Sequence, residues 1–304
     1  MTTAVDFERR DAVDTIAVVL MIGLTFSWGL NGVAAKITNT GFNPLFATVV
    51  RSALGAALVF AWCRFRRVSL FDKDGSLWPG IVAGALFGME FALIFFGLDF
   101  TSVARSVLLV NTMPFWVLVG AHFLLGERMS LSKLAGLVLA FLGVAVVFSD
   151  KLSLIGPNTL TGDIMSLAAG ALWGATTLVI KSTRLVRANA EKILLYQLVV
   201  SAIVVLPLVP LAGPMLREVS AISIATLLFQ AAFIAAFTYV LWFWLMRRYP
   251  AAGLSSFAFL TPVFGVLLGG IVLDEPLSPR LFVALAMIAA GLVIVNRPQR
   301  KPES

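Results

Sequence analysis

The sequence has little that serves metal or redox chemistry: one cysteine, Cys63, and one histidine, His122, in 304 residues. A single cysteine excludes intramolecular disulfides, and one cysteine with one histidine does not make up the usual zinc ligand sets. No glycine-rich phosphate-binding loop and no nucleophile paired with a base are present. We therefore expect no cofactor, no metal, no hydrolysis of ATP by this chain and no enzymatic activity.

Charge is also scarce, since 13% of the residues are Asp, Glu, Lys or Arg, whereas soluble domains carry about 25%. Hydrophobic residues make up 60% of the chain. A bilayer core about 30 Å thick is crossed by about 20 helical residues, and the sequence contains successive apolar runs of this length. We predict ten transmembrane helices, at residues 15–36, 43–63, 78–98, 101–125, 131–149, 162–181, 190–212, 221–246, 250–273 and 280–296.

These runs lack the alternation of a transmembrane barrel, and lipid cannot satisfy exposed backbone groups, so each is predicted to be helical. The fold class is therefore an all-α polytopic membrane protein. If both termini are cytoplasmic, 17 of the 23 Lys and Arg residues lie on the cytoplasmic side, five lie opposite, and Arg51 lies within a span. The positive-inside rule favours this topology. The formal net charge of +7 is explained by topology, and no nucleic-acid partner is expected.

The chain repeats itself. "FSWGLNGVAAK" at 26–36 resembles "ALWGATTLVIK" at 171–181, and a second pair of stretches matches at an offset of 148, which aligns Pro114 with Pro262. Two halves of five spans, residues 1–150 and 151–304, account for this pattern. Because five is odd, the second half must enter the membrane inverted, which is the recurring plan of alternating-access transporters.

Pro114 and Pro262 lie inside the fourth and ninth predicted spans, where proline removes a backbone donor and clashes with the preceding turn. The carbonyl groups of Val110 and Ala258 are expected to lose their helical partners and to face the interior. Each proline is predicted to act as a hinge or as a static bend, and the two roles are compatible.

Two charged residues, Arg51 and Glu90, lie near the middle of predicted spans, where charge is costly and usually faces a cavity or a partner. In one interpretation they form a mutual or backbone-satisfied pair that fixes the helices. In the other, Arg51 binds a substrate carboxylate and Glu90 receives an ammonium group or a proton.

Neutral polar and aromatic residues form a second group of candidates. Buried amides need partners, and a neighbouring helix or a substrate could supply them. Deep aromatic residues could line a cavity, stack on a ring or hold an ammonium group. The predicted substrate-binding residues, with Glu90, are Trp28, Asn31, Asn111, Trp173, Gln230 and Tyr239. Trp78 and Tyr249, at span ends, are predicted to anchor the membrane interface.

The runs "TVVRSALGAALV", "LGERMSLSKLAGLVLAFLGV" and "LDEPLSPRLFVALAMIAAGLVI", with the repeated Trp-Gly pairs, resemble the EamA family of the drug/metabolite transporter superfamily. The resemblance implies a bacterial inner-membrane exporter of small metabolites, with amino acids the best-known substrates and exporters of aromatic amino acids the nearest relatives. It also implies a cavity formed mainly by spans 1, 3, 4, 6, 8 and 9, which favours Glu90 over Arg51 as a substrate ligand. The alternatives are export of another metabolite or drug, a lipid-modifying enzyme, and a channel.

Overall fold

A computed structural model describes residues 10, 12–98, 100–101, 103–149, 158–273 and 279–297. Within these residues all regular structure is helical. The α-helices are α1 (Thr15–Gly41), α2 (Pro44–Arg66), α3 (Leu77–Leu98), α4 (Val103–Val110), α5 (Met113–Leu125), α6 (Leu131–Phe148), α7 (Thr159–Ser182), α8 (Ala190–Val205), α9 (Ala221–Phe229), α10 (Tyr239–Arg248), α11 (Ala251–Ser256), α12 (Leu260–Leu273) and α13 (Arg280–Asn296).

Nine helical segments of the described chain are at least 18 residues long and apolar enough to cross a membrane. The helix at Arg280–Asn296, where the tenth span is predicted, is apolar but has 17 residues. The chain is therefore an all-helical, polytopic membrane protein.

The first predicted span is too short, because α1 continues past Lys36 to Gly41. A single lysine near a membrane boundary does not end a helix. Helix α1 ends just before Asn43, which caps the start of α2. The Asn43 side chain accepts hydrogen bonds from the backbone N–H groups of Leu45 and Phe46, at 2.9 and 3.3 Å, and Pro44 occupies the first helical position.

The fourth and ninth spans, each predicted as one helix bent at its proline, are both broken. The fourth stops at Val110 and restarts at Met113, so that Pro114 is the second residue of α5. The ninth passes through a 3₁₀ turn at Phe257–Phe259, and Pro262 lies in the first turn of α12. Because proline is tolerated in a first turn, both breaks precede the proline.

Two further spans are irregular. The seventh changes at Leu206–Ala212 to a 3₁₀ helix that contains Pro207 and Pro210. The eighth contains a π-helix at Gln230–Thr238, between α9 and α10. No proline or glycine lies in this π segment, so the sequence pattern predicts an ordinary helix there.

Glycines allow close helix packing, as the spacing of Gly80, Gly84 and Gly88 predicts. A Cβ built on Gly84 would lie 2.6 Å from the Cβ of Val200, which places α3 tightly against α8. A Cβ on Gly170 would lie 2.7 Å from the carbonyl oxygen of Val110. Helix α7 thus packs directly against the break between α4 and α5.

Candidate functional site

Two buried charges lie in the interior of the helix bundle. Helix α2 carries Arg51 and helix α3 carries Glu90, and each residue is 5% exposed. Within the part of the chain that the structure describes, Arg51 Nε and Nη2 and Glu90 Oε2 have no hydrogen-bond partner. Among the described residues, no nitrogen of Arg51 lies within 4.0 Å of a carboxyl oxygen of Glu90, so these two side chains form no ion pair. The direct mutual pair, one of the two sequence-based interpretations, is therefore not formed.

The Arg51 guanidinium instead lies over the ring of Phe91, with its Cζ atom 4.9 Å from the ring centroid. This is the geometry of a cation–π contact. Two donors on the guanidinium and one oxygen of the carboxyl group thus have no hydrogen-bond partner among the described residues.

An aromatic cluster, defined here as Trp28, Phe87, Phe91, Tyr239 and Trp242, adjoins these charges. Trp28 lies 6.1 Å from Tyr239 and 5.6 Å from Trp242 between ring centroids. Phe87 lies 5.9 Å from Tyr239 and 5.0 Å from Phe91. The contacts run continuously from α1 through α10 to α3 and reach the guanidinium of Arg51.

The π segment of the eighth span positions one side of this cluster. Thr238, its last residue, accepts a hydrogen bond from Trp28 Nε1 at 3.1 Å and donates to the carbonyl of Ile234 at 2.6 Å. Tyr239 follows directly. π-Helical segments often occur at functional sites, and this one presents two adjacent residues to Trp28.

Two predicted amides retain free acceptor atoms. Asn111, at the break between α4 and α5, donates from Nδ2 to the carbonyl of Val107 at 2.8 Å. Its Oδ1 atom and that of Asn31 are buried and have no partner among the described residues. Thr261 Oγ1, near the break in the ninth span, is likewise buried without a hydrogen-bond partner among the described residues. Buried polar atoms in native proteins are normally satisfied, so water or a ligand is the expected partner.

The structure does not bring Trp173 and Gln230 to the aromatic cluster. Gln230 donates to Thr38 Oγ1 at 2.6 Å, and Thr38 in turn contacts Thr226 Oγ1 at 2.8 Å. This polar network joins α1 to the eighth span about two helical turns from Tyr239. Trp173 packs against a separate apolar group that includes Met113 and Ala258.

Three residues of this region, Phe87, Phe91 and Thr238, were not predicted from the sequence. Phe87 and Phe91 are four residues apart on α3 and flank Glu90, so they share a helix face. This spacing is visible in the sequence. Because the chain contains 24 phenylalanines, however, one pair at helical spacing does not by itself indicate a site. No group of three or more His, Cys, Asp or Glu residues suited to a metal ion occurs among the described residues.

Comparison with known proteins gives consistent results. The EamA-like transporter family matches residues 15–149 and again residues 160–297. The chain is 26% identical to the uncharacterized transporter YoaV of Bacillus subtilis over 283 residues, which covers 90% of this chain and 94% of that protein. It is 27% identical over 299 residues to a probable amino-acid metabolite efflux pump of Escherichia coli, with 94% of each chain covered.

A solved crystal structure also shares the fold, with a TM-score of 0.79 and 20% identity over 92% of this chain and 96% of the other. The names of these family members and relatives denote transporters rather than enzymes. The two family matches together cover most of the sequence. The chain therefore belongs to the EamA-like transporter family.

Proposed function

We propose that this protein is a secondary transporter that exports amino acids or related small metabolites from the cytoplasm by alternating access through a central cavity. The observation that carries this proposal is the pair of buried, hydrogen-bond-deficient charged groups, Arg51 and Glu90, beside the aromatic cluster. An unpaired charge inside a membrane protein is costly to maintain. A ligand that supplies the missing partners offsets that cost each time it binds.

A zwitterionic amino acid has the complementary groups. The Arg51 guanidinium is permanently charged and suits a carboxylate, which it binds with two parallel hydrogen bonds. The Glu90 carboxylate suits an ammonium group, and the free Oδ1 atoms of Asn31 and Asn111 offer further acceptors. The aromatic cluster provides apolar surface for the side chain of the substrate, including an aromatic one.

The inverted architecture completes the proposal. Ten spans, with α13 as the tenth, form two five-helix halves at residues 1–150 and 151–304, and both termini are cytoplasmic. The two separate family matches, at residues 15–149 and 160–297, support the division into halves. The breaks before Pro114 and Pro262 lie at equivalent positions of the two halves, and we propose them as hinges. The bacterial relatives support a location in the bacterial inner membrane.

Flux measurements in proteoliposomes test this function. Purified protein should accelerate the movement of radiolabelled amino acids across the bilayer, and the panel should include all the common amino acids. Arg51→Gln should reduce this acceleration by ~10-fold or more, whereas Arg64→Gln, on the exposed end of the same helix, should retain it. Lack of acceleration for every amino acid would refute the amino-acid assignment, and conversion of lipid in the same vesicles would favour an enzyme.

A further inference from the structure

Tyr249 ties the start of the first span to the junction between the eighth and ninth spans. Its side chain is 2% exposed, and its hydroxyl donates to the carboxylate of Asp14, with distances of 3.0 Å to Oδ1 and 3.1 Å to Oδ2. Asp14 also caps α1 by accepting from the N–H of Ala17 at 2.9 Å. Lys181, at the end of α7, donates to the main-chain carbonyl of Tyr249. We call the Asp14–Tyr249 contact the cytoplasmic latch.

A similar contact ties the start of the sixth span to the junction between the third and fourth spans. Thr101 donates from its hydroxyl to Asp163 Oδ1 at 2.7 Å. Arg105 Nε donates to the same oxygen at 3.1 Å, and its Nη2 pairs with the second carboxylate oxygen. Thr101 is 2% and Asp163 is 9% exposed. We call the contact of Thr101 and Arg105 with Asp163 the external latch.

The two latches correspond under the internal repeat. Thr101 and Tyr249 differ by 148 positions, the offset that relates Pro114 to Pro262. Each hydroxyl lies just before a broken span of one proposed half. Each aspartate lies near the start of the first span of the other half, Asp163 about one helical turn deeper than Asp14. In an inverted repeat, equivalent contacts lie at opposite ends of the transport pathway.

We propose that these latches are the two gates of the transport cycle, which open in turn to expose the central site to one side and then to the other. Both are closed in this structure. Each joins the two halves through a hydroxyl–carboxylate hydrogen bond, and in the external latch the ion pair between Arg105 and Asp163 must separate as well. This inference rests on the alternating-access function proposed above and assigns the residues that control it.

Sided cysteine labelling tests the gates without any substrate. Since Cys63 is the only cysteine and is buried, Cys63→Ala with Asn111→Cys places a single reporter at the break between α4 and α5. A membrane-impermeant maleimide is applied to oriented vesicles from either face. Hydrogen bonds to charged groups typically contribute enough to change a population by ~10-fold or more.

Tyr249→Phe should therefore raise the labelling rate ~10-fold from the cytoplasmic face only, and Thr101→Val should raise it from the opposite face only. Tyr196→Phe is the matched control for the first, since its hydroxyl lies 3.2 Å from Ser76 Oγ in a contact between α8 and the residue before α3. Thr48→Val is the control for the second, because among the described residues the Thr48 hydroxyl donates to the carbonyl of Pro44 in the same helix. Neither control should alter labelling.

Unchanged labelling in both latch variants, or an increase from the same face in both, would overturn the proposal. If Tyr249→Phe does not fold, Asp14→Asn keeps an acceptor oxygen while removing the charge, and a smaller increase from the cytoplasmic face is expected. Sided labelling together with an absence of amino-acid flux through the unmodified protein would refute the proposed substrate and leave the gates intact. Amino-acid flux without sided labelling would refute the gates and leave the proposed substrate intact.

Discussion

Gly174 lies directly against Trp116: a Cβ built on Gly174 would stand 2.8 Å from the Cβ of Trp116. Gly29 has the same relationship with Phe264, also at 2.8 Å. Both glycines belong to the repeated Trp-Gly pairs, and Trp116 and Phe264 differ by the repeat offset of 148. The glycine is repeated because the first span of each proposed half packs backbone-close against the fourth span of the other.

Gly29→Ala and Gly174→Ala should each destabilise the protein by about 1–3 kcal/mol, because the added methyl group overlaps neighbouring atoms. Thermal unfolding in detergent measures this effect. Gly23→Ala and Gly32→Ala are controls on α1, since a Cβ at either position meets nothing within 4 Å. Equal stability of all four variants would contradict the packing described here.

Glu127, in the loop after α5, caps the start of α11. Its carboxylate accepts hydrogen bonds from the backbone N–H groups of Ala251 at 2.8 Å and Ala252 at 3.3 Å. Glu127→Ala should cost about 1 kcal/mol of stability, as for other N-terminal helix caps. Arg128→Ala, at the exposed neighbouring position, should have little effect on the unfolding temperature. If Glu127→Ala loses no more stability than Arg128→Ala, the cap contributes nothing to the stability of the protein.

Asp74, in the loop between α2 and α3, should make stability depend on pH. Burial raises the pKa of its carboxyl, but hydrogen bonds from Ser76 and Lys192 outweigh burial and lower the pKa from 3.8 to about 2. Because the folded-state pKa is lower, the stabilisation is complete above pH ~4 and is lost as the pH falls towards ~2.

Asp74→Asn should therefore lower the unfolding temperature at neutral pH, and its difference from the unmodified protein should shrink as the pH falls from 4 to 2. Asp72→Asn is the control, because Asp72 contacts Lys192 through its main-chain carbonyl at 3.1 Å. A difference that stays constant or grows on acidification would contradict this assignment.

Glu90 tests proton coupling separately from substrate binding. If Glu90 carries a proton, amino-acid flux should respond to an imposed pH gradient, and Glu90→Gln should remove that response. Glu127→Gln, a carboxylate at the loop after α5, should retain it. Flux through Glu90→Gln that keeps its dependence on the pH gradient would exclude Glu90 as the proton carrier.

Composition and the length of the apolar runs predicted the helical fold, and the cost of burying charge singled out Arg51 and Glu90. The faces of individual helices were harder to predict, because in a membrane protein both the lipid-facing and the packed faces are apolar. Hence Trp173 and Gln230 lie away from the aromatic cluster, although both are within predicted spans and not at their ends. The π segment before Tyr239 has no sequence signature.

One prediction for a residue at a span end was also wrong. Tyr249 was predicted to anchor the membrane interface, since tyrosine is enriched there, but it is buried and donates to Asp14. The main-chain carbonyl of Tyr249 also accepts a hydrogen bond from Lys181, which is 6% exposed. Such contacts join residues far apart in the chain, and no local pattern reports them. Glu275, the repeat partner of Glu127, lies outside the described residues.

Competition in proteoliposomes shows whether Arg51 and Glu90 recognise the two ends of a zwitterion. The competitors are the best-transported amino acid, the corresponding amine without the carboxylate, and the corresponding acid without the amino group. Each truncated compound should compete at least ~10-fold more weakly than the parent.

The same series is then measured with the two variants. Arg51→Gln should remove only the penalty for losing the carboxylate, and Glu90→Gln only the penalty for losing the amino group, as in a double-mutant cycle. If both truncated compounds compete as well as the amino acid, or if both variants keep the ranking of the unmodified protein, these residues do not bind the zwitterion.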